Sequence, residues 1–292
     1  MMGQASFDLI VIGAGQAGPF LAAKLAHAGK KVALIEARQL GGTCVNRGCT
    51  PTKTLRKSAR VAYMARRAAE FGVDVGPVTV NFGVAMARMR KRITDARTGL
   101  EGWLGALPGL TIHYAHGQLA GRDGADFIVQ AGEHTLRAPQ VVLNTGTRSF
   151  MPPIPGLSTV PALDSEGLLA LDELPKKLVI IGGGYISLEM AQIFRRLGAE
   201  VSVIENNPRL TSREDLDVSA AITDLLLSEG IEVITGAKVE SVQPGDLPGH
   251  SRVQLTDGRL IEGSHLLEDQ SAWLHPDQCA PGNRSSRHLG LR

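Results

Sequence analysis

Short, almost wholly apolar runs alternate along the chain with longer stretches in which apolar and polar residues mix. The first apolar run covers residues 7–12, and the second covers residues 31–35. Runs of this length without polar alternation are typical of strands that are buried on both faces of a parallel sheet. The stretch between them is rich in alanine and ends at Gly29, which predicts a helix. The N-terminal part therefore predicts a strand, a helix and a second strand.

A glycine motif connects the first of these strands to the helix. The letters GAGQAG fill positions 13–18, and Glu36 follows the second strand. Glycines permit a tight turn and a close approach of backbone to ligand, and a helix N-terminus attracts a pyrophosphate. An acid after the second strand would accept hydrogen bonds from a ribose hydroxyl. The motif alone is weak, but in this order of elements it predicts a dinucleotide-binding unit.

The same order of elements returns in the second half of the chain. An apolar run at residues 177–181 is followed by GGGYIS at 182–187, a predicted helix to residue 197 and a strand at 200–204. Three landmarks of the first unit recur 169 positions later, as Gly182, Gly198 and Glu205. A repeat with one constant offset predicts a second dinucleotide-binding unit.

Two side chains refine this second unit. Glu205 suits a free 2′-hydroxyl and would repel a 2′-phosphate, so NADH is favoured over NADPH. Ser187 stands where the motif has its third glycine, and we expect it to loosen the packing of helix on strand.

Two cysteines stand five positions apart directly after the first unit. Cys44 and Cys49 could form a disulfide, but stabilisation grows with the length of the closed loop, so this bridge would add little stability. We therefore interpret the pair as redox-active, with Lys53 and a predicted helix start favouring thiolates. The alternatives are two buried cysteines at an ordinary helix start, or a metal site. Zinc needs further ligands, and the only other cysteine is Cys279.

Less regular patterns predict the remaining elements. A glycine at position 146 would let a ligand approach the end of one strand, and the alternative is a plain turn. The predicted elements are helices at 55–71, 82–104 and 217–229, short antiparallel strands at 110–114, 127–130 and 134–138, strands at 141–143 and 231–234, and a hairpin of 252–256 and 259–261.

A proline-rich stretch marks the boundary between two predicted domains. Residues 151–156 read MPPIPG, which is stiff and can continue neither a strand nor a helix. We therefore predict one domain at 1–150 and another at 151–267. Residues 268–292 contain no Val, Ile or Phe and no periodicity, so we expect a disordered tail there.

Composition narrows the function classes. A chain of 292 residues has room for about two domains, and a net charge of +2 implies neither nucleic acid nor a membrane surface. The basic helix at 82–104 has only Trp103 near its charges, which argues further against nucleic acid. Three cysteines argue against a secreted disulfide scaffold, and no apolar run is long enough for a signal peptide or a membrane span. We expect a cytoplasmic protein.

Together these motifs resemble the flavoprotein disulfide oxidoreductases, the class I pyridine nucleotide-disulfide oxidoreductases related to dihydrolipoamide dehydrogenase, glutathione reductase and mercuric reductase. The residues that carry the resemblance are GAGQAG at 13–18, GGTCVNRGCTPTK at 41–53, NTG at 144–146 and GGGYISLE at 182–189. The variant RGCTPTKT at 47–54 is most similar to the mercuric-reductase-like branch. The resemblance covers about residues 6–267.

The resemblance implies an α/β fold with two Rossmann-like domains, of which the FAD domain is incomplete, and it implies roles for single residues. Cys49 would lie beside the flavin and Cys44 would meet the substrate, while Lys53 and Glu189 would pair near the flavin. Tyr185 would cover the nicotinamide pocket. The residues implied to contact FAD are Gly13, Gly15, Gly18, Glu36, Gly42, Thr43, Lys53, Gly117, Thr145 and Gly146. Those implied to contact NAD(P)H are Gly182, Gly184, Tyr185, Glu189 and Glu205.

The sequence departs from the family pattern after Leu267. Family members continue with a Thr-Gly-Arg turn, complete the FAD domain and add a C-terminal dimerisation domain with a catalytic His-Glu pair, so we expect a truncated or frameshifted chain that lacks the dimer interface. Glu268 and Asp269 would enter a buried strand that opens at Leu266 and Leu267. The tail should then separate, leaving an unpaired strand position where the rest of the FAD domain belongs.

The substrate is left open among a small-molecule disulfide, a dithiol and a metal ion. Specificity for mercury is unsupported, because the cysteine pairs that deliver metal at the ends of such chains are not present. The first alternative to an enzyme is a non-catalytic nucleotide-binding remnant. The second is a metal-binding protein that uses Cys44 and Cys49.

Overall fold

The structure, a computed structural model, describes residues 5–147 and 152–268. It has mixed α/β architecture with parallel sheets, as the sequence predicts. Among the described residues two compact units form: one of residues 5–58 together with 81–146, the other of residues 59–80 together with 147 and 152–268. None of the helices among the described residues is long and apolar enough to cross a membrane.

The first unit contains a parallel sheet and a second, mainly antiparallel sheet. Its helix α3 runs on into the second unit. In chain order the elements are β1 (Ala5–Ser6), β2 (Leu9–Ile12), α1 (Gly18–His27), β3 (Val32–Glu36), α2 (Gly42–Asn46), α3 (Cys49–Arg66), α4 (Phe82–Gly105), β4 (Leu110–Tyr114), β5 (Gly117–Asp123), β6 (Asp126–Ala131), β7 (His134–Ala138) and β8 (Val141–Leu143).

The strands of the first unit pair in two orders. The parallel sheet has the order β4-β3-β2-β8, and the other sheet has the order β1-β7-β6-β5. The two sheets share a core in which Ile10 and Ile35 meet Val129 and Leu136. The antiparallel pairing predicted for residues 110–114 is wrong, because β4 pairs parallel to β3. The chain reaches β4 through α4, and such a helical crossover is what a parallel neighbour requires.

Helix α3 differs from its predicted range of 55–71. It begins at Cys49, ends at Arg66 and is followed by a separate 3-10 turn, Ala68–Phe71. Pro51 lies in its first turn, where a missing N–H leaves no intrahelical bond unmade. Gly72, with φ +75°, ends the turn.

The second unit repeats the parallel arrangement and adds a small antiparallel sheet. Its elements after the shared helix are β9 (Ala162–Leu163), α5 (Ser165–Leu169), β10 (Lys177–Ile181), α6 (Tyr185–Leu197), β11 (Glu200–Ile204), α7 (Leu216–Ser228), β12 (Glu232–Ile234), β13 (Val239–Pro244), β14 (Ser251–Leu255), β15 (Leu260–Gly263) and β16 (His265–Glu268).

The last described strand lies inside the parallel sheet of the second unit. That sheet has the order β12-β11-β10-β16-β9, so β16 is paired on both edges. Leu266 and Leu267 are buried, which confirms the predicted opening of a buried strand, and Glu268 is only 2% exposed. Asp269 and the predicted separation of the tail lie outside the described residues. The hairpin predicted after residue 251 is also confirmed, as β14 and β15.

Candidate functional site

The first glycine motif forms a tight turn against the end of β8. Gly13 has φ +102°, and a Cβ atom there would lie 2.2 Å from the carbonyl oxygen of Asn144. A Cβ atom on Gly18 would lie 2.3 Å from the carbonyl oxygen of Gly13. The Asn144 side chain donates from Nδ2 to that same carbonyl at 3.1 Å. Glycine is therefore required here for backbone-to-backbone packing, and Asn144 is a supporting residue that the sequence reasoning did not single out.

Glu36 closes this turn from the end of β3. Its Oε2 accepts a hydrogen bond from the Ala14 N–H at 2.8 Å, and its Oε1 accepts one from the Arg38 N–H at 2.7 Å. A carboxylate has about four acceptor positions, so further capacity is left on both oxygens. Glu36 thus orders the glycine turn and retains the ability to accept from ribose hydroxyls.

The second glycine motif has the same geometry 169 positions later. Gly182 has φ +103°, and Glu205 Oε2 accepts from the Gly183 N–H at 2.6 Å. Glu205 Oε1 accepts from the backbone N–H of Asn207 at 2.7 Å and from its side-chain Nδ2 at 2.6 Å. Each of the two backbone bonds has its counterpart at Glu36. The repeat predicted from the sequence is therefore a repeat of hydrogen bonds.

Ser187 fills the place of the third glycine in this motif. It is fully buried on α6, and its hydroxyl makes no hydrogen bond among the described residues. The helix buries Leu188, Met190 and Ala191 next to it. The loosened packing of helix on strand that the sequence led us to expect stays a prediction.

Residues 41–49, which carry Cys44 and Cys49 and are called the cysteine loop here, pack against the first glycine motif. The Gly41 N–H donates to the Ala14 carbonyl at 2.8 Å. A Cβ atom on Gly42 would lie 2.7 Å from Gly15 Cα, so this glycine too is required by close packing. The structure thus brings Gly42, Gly15 and the start of α2 into one place.

Cys44 lies in α2 and Cys49 is the first residue of α3. Both are free thiols, and Cys44 shares a hydrogen bond with Cys49. Burial raises the pKa of the Cys44 thiol, and the hydrogen bond with Cys49 and its charge raise that pKa further. Lys53 lowers the pKa of Cys44, but its effect is the smallest of these, so the thiolate-favouring influence expected from Lys53 is outweighed at Cys44. The predicted disulfide stays a prediction.

The other residues predicted for FAD fall into two groups in the first unit. Gly117 begins β5 with its Cα against the core, since a Cβ atom there would lie 2.8 Å from Ile12 Cγ2. Core packing therefore explains this glycine, and a cofactor contact by it stays a prediction. Thr43, Thr145 and Gly146 are exposed, and Gly146 has φ +69° with open space where a Cβ atom would lie.

Three of the five residues predicted to contact NAD(P)H lie at the start of α6. Gly184 is its N-cap, Tyr185 is its first residue and is 62% exposed, and Glu189 follows one turn later in a half-buried position. Lys53 is exposed on α3 in the first unit. The pairing of Lys53 with Glu189 stays a prediction.

These features fit two dinucleotides. Each unit offers a glycine turn at a helix N-terminus and a carboxylate at the end of the next strand, which is the donor and acceptor set that a dinucleotide needs. No group of three or more His, Cys, Asp or Glu residues in the described ranges could hold a metal ion.

Comparison with known proteins gives a consistent result. The family model described as "Pyridine nucleotide-disulphide oxidoreductase" matches residues 7–268. A dihydrolipoyl dehydrogenase of Chlamydia muridarum is 36% identical over 267 residues, which cover 90% of this chain and 56% of that protein. A mercuric reductase of Bacillus cereus is 33% identical over 267 residues, covering 91% and 42%. The chain spans about half the length of these curated relatives.

A solved structure agrees with these relatives in fold. The HOCl-induced flavoprotein disulfide reductase RclA from Escherichia coli superposes with a TM-score of 0.76 at 31% identity, covering 89% of this chain and 55% of that one.

Proposed function

Because this chain belongs to the pyridine nucleotide-disulphide oxidoreductase family, we propose that it carries the nucleotide-binding units and redox cysteines of a FAD-dependent NAD(P)H disulfide oxidoreductase. Members of this family are enzymes that use FAD and NAD(P)H. The observation that carries the proposal is the repeated turn, in which Glu36 and Glu205 make matching bonds, with two free thiols beside the first turn.

The first unit would hold FAD and the second NAD(P)H. Glu36 would accept from the adenosine ribose of FAD, while Gly13, Gly15 and Gly42 leave room for a pyrophosphate at the start of α1. FAD, when bound, supplies a two-electron acceptor for hydride from the nicotinamide. In the second unit, Tyr185 would cover the nicotinamide site, and its exposure supports this role.

The cysteines would then exchange electrons with the substrate. Reduction of a Cys44–Cys49 disulfide gives each sulfur one electron and one proton, which yields the two thiols. Cys44 attacks a substrate disulfide as its thiolate, and Cys49 resolves the mixed disulfide by displacing the reduced substrate. Burial and Cys49 raise the pKa of Cys44, and Lys53 acts in the opposite direction.

The substrate would be a small-molecule disulfide, a dithiol or a metal ion. The names of the relatives, dihydrolipoyl dehydrogenase, mercuric reductase and flavoprotein disulfide reductase, support this range. The same proposal includes a division into domains at 1–150 and 151–267, a homodimer for full-length proteins and a cytoplasmic location.

A thiol count before and after NADH tests this function. In protein loaded with FAD and oxidised at Cys44 and Cys49, NADH should release two thiols per chain and bleach the flavin. Protein without FAD should show no change, because nicotinamide does not reduce a disulfide directly. An unchanged count in FAD-loaded protein would instead favour a non-catalytic nucleotide-binding protein.

Cofactor choice should follow Glu205. Its carboxylate lies at the end of β11 and would meet a 2′-phosphate at close range, so NADH is the proposed donor. Glu205→Arg should move preference toward NADPH by about tenfold or more in the ratio of dissociation constants, since one unfavourable charge contact becomes favourable. A preference of the unmodified chain for NADPH, measured by fluorescence titration, would contradict this.

A further inference from the structure

Asn46 is a residue of the cysteine loop to which the nucleotide motifs assign no role. It is the last residue of α2, two positions after Cys44, and it is half-buried. Its amide nitrogen Nδ2 donates to the carbonyl oxygen of Leu40 and to that of Gly42, both at 2.9 Å. Both carbonyls belong to residues that precede Cys44 in the chain, whereas Asn46 follows it. The two hydrogen bonds therefore connect the backbone before Cys44 to the side chain after it.

Helix α2 is short and has no side-chain cap at its start. It contains five residues, and its N-cap, Gly41, is left-handed with φ +92° and has no side chain that could cap the helix. Helices this short do not persist on their own in water. The two bonds of the Asn46 amide therefore act together with the backbone hydrogen bonds of this segment and its packing against α4 in holding Cys44 in place.

The opposite side of the same loop is held by the first glycine motif. Gly41 donates to Ala14, and Gly42 packs against Gly15 with no space for a Cβ atom. Asn46 and the glycine motif thus hold residues 41–42 from two sides. This arrangement fixes the backbone immediately before Cys44.

The Asn46 side chain pairs its amide nitrogen within the loop but not its amide oxygen. Its Oδ1 is buried and makes no hydrogen bond among the described residues. A buried acceptor without a partner lowers stability. The side chain therefore supplies two donors to the loop, and its unpaired oxygen offsets part of the stabilisation that they give.

We propose that Asn46 is a positioning residue of the redox pair, which holds Cys44 where it can form and reopen a disulfide with Cys49. The place of Cys44 between Gly42 and Asn46 in α2 supports this, because the amide bonds fix the backbone around that cysteine. The proposal rests on the proposed function, in which this pair cycles between dithiol and disulfide.

Exchange with the cyclic disulfide of dithiothreitol measures the positioning without any flavin. Cys44 and Cys49 give up their two hydrogens to the reagent, whose S–S bond breaks while the S–S bond of the protein forms. The equilibrium constant reports the effective concentration of one thiol at the other. In Asn46→Leu we expect this constant to fall about tenfold, which raises the reduction potential of the pair by about 30 mV.

Asn81→Ala is a matched control in the same unit. Asn81 caps α4 by accepting a hydrogen bond from the Val84 N–H at 3.0 Å, far from the cysteine loop in sequence. Its loss should lower the urea midpoint of unfolding and leave the exchange constant unchanged. If Asn46→Leu likewise changes only the urea midpoint, Asn46 is merely structural and the proposal is overturned.

A second variant keeps the test decisive if the leucine variant does not fold. Asn46→Asp has nearly the same shape but replaces both donors by acceptors, so we expect the same fall in the exchange constant at neutral pH. An exchange constant like that of the unmodified chain would overturn the proposal. Failure of NADH to reduce FAD-loaded protein would count against the proposed function and not against this positioning role.

Discussion

Among single residues, Cys44 departs most from what its neighbours in the sequence predict. The nearby Lys53 led us to expect a more acidic thiol, yet burial and Cys49 together raise the pKa of Cys44. A lysine that is exposed to water exerts only a screened attraction, whereas burial acts on the thiolate directly.

The pH dependence of alkylation should reveal this raised pKa. Iodoacetamide reacts with the thiolate, so in the folded dithiol form Cys44 should reach half of its maximal rate at a higher pH than in urea-unfolded protein. Cys49→Ala removes the hydrogen bond and the neighbouring charge, and the midpoint should then move to lower pH. Peptide mapping by mass spectrometry gives the rate at Cys44 alone. A folded midpoint at or below that of unfolded protein would contradict the expected direction.

At the scale of elements, the end of α3 is fixed to α6 and α7 within the second unit. The Tyr63 ring contacts two guanidinium groups, with the Arg67 carbon 5.0 Å and the Arg196 carbon 4.2 Å from its centroid. Arg196 forms a bidentate pair with Glu229, at 2.7 and 2.5 Å, and Gln192 donates to the same carboxylate at 2.9 Å. The side chains of Arg196 and Glu229 are only 14% and 3% exposed.

Removal of the charge on Glu229 should therefore destabilise the second unit. Glu229→Gln leaves the Arg196 guanidinium buried without a counter-charge, and such a loss costs about 3 kcal/mol. Urea unfolding followed by far-ultraviolet circular dichroism measures this change. The matched control is Glu70→Gln, which breaks the exposed pair with Arg67 in the same cluster and should have a much smaller effect. Equal losses in the two variants would show that burial does not govern the contribution of the Glu229 pair.

For the whole molecule, the two units present two nucleotide turns that should act separately. Glu36 holds the first glycine turn and Glu205 holds the second. A substitution in one turn should therefore weaken one nucleotide only.

Paired variants test this separation. Glu36→Gln should weaken FAD binding about tenfold and leave NADH binding unchanged, because one charge-assisted acceptor is lost in the first unit alone. Glu205→Gln should do the reverse. Calorimetric titration with each nucleotide gives both constants for both variants. Weakening of both nucleotides by either substitution would mean that the turns are coupled.

The sequence by itself determined the two nucleotide-binding units and the cysteine loop. The glycines of the turns and the acids Glu36 and Glu205 recur at one offset, and local backbone requirements decide which residues can occupy such positions. These requirements act over a few residues, so they can be read along the chain. In the structure the two glycine turns have matching φ values at Gly13 and Gly182, and Glu36 and Glu205 accept matching hydrogen bonds.

Only the tertiary structure decided which distant segments meet. Three features depend on partners far away in sequence. They are the parallel pairing of β4, the place of β16 between β10 and β9, and the assignment of residues 59–80 to the second unit. Thr211, with φ +44°, takes the left-handed conformation that Gly42 has at the equivalent place, and its N–H donates to the Gly183 carbonyl at 3.0 Å. Nothing in the letters around Thr211 predicts this, because a β-branched residue adopts that conformation only where surrounding contacts impose it.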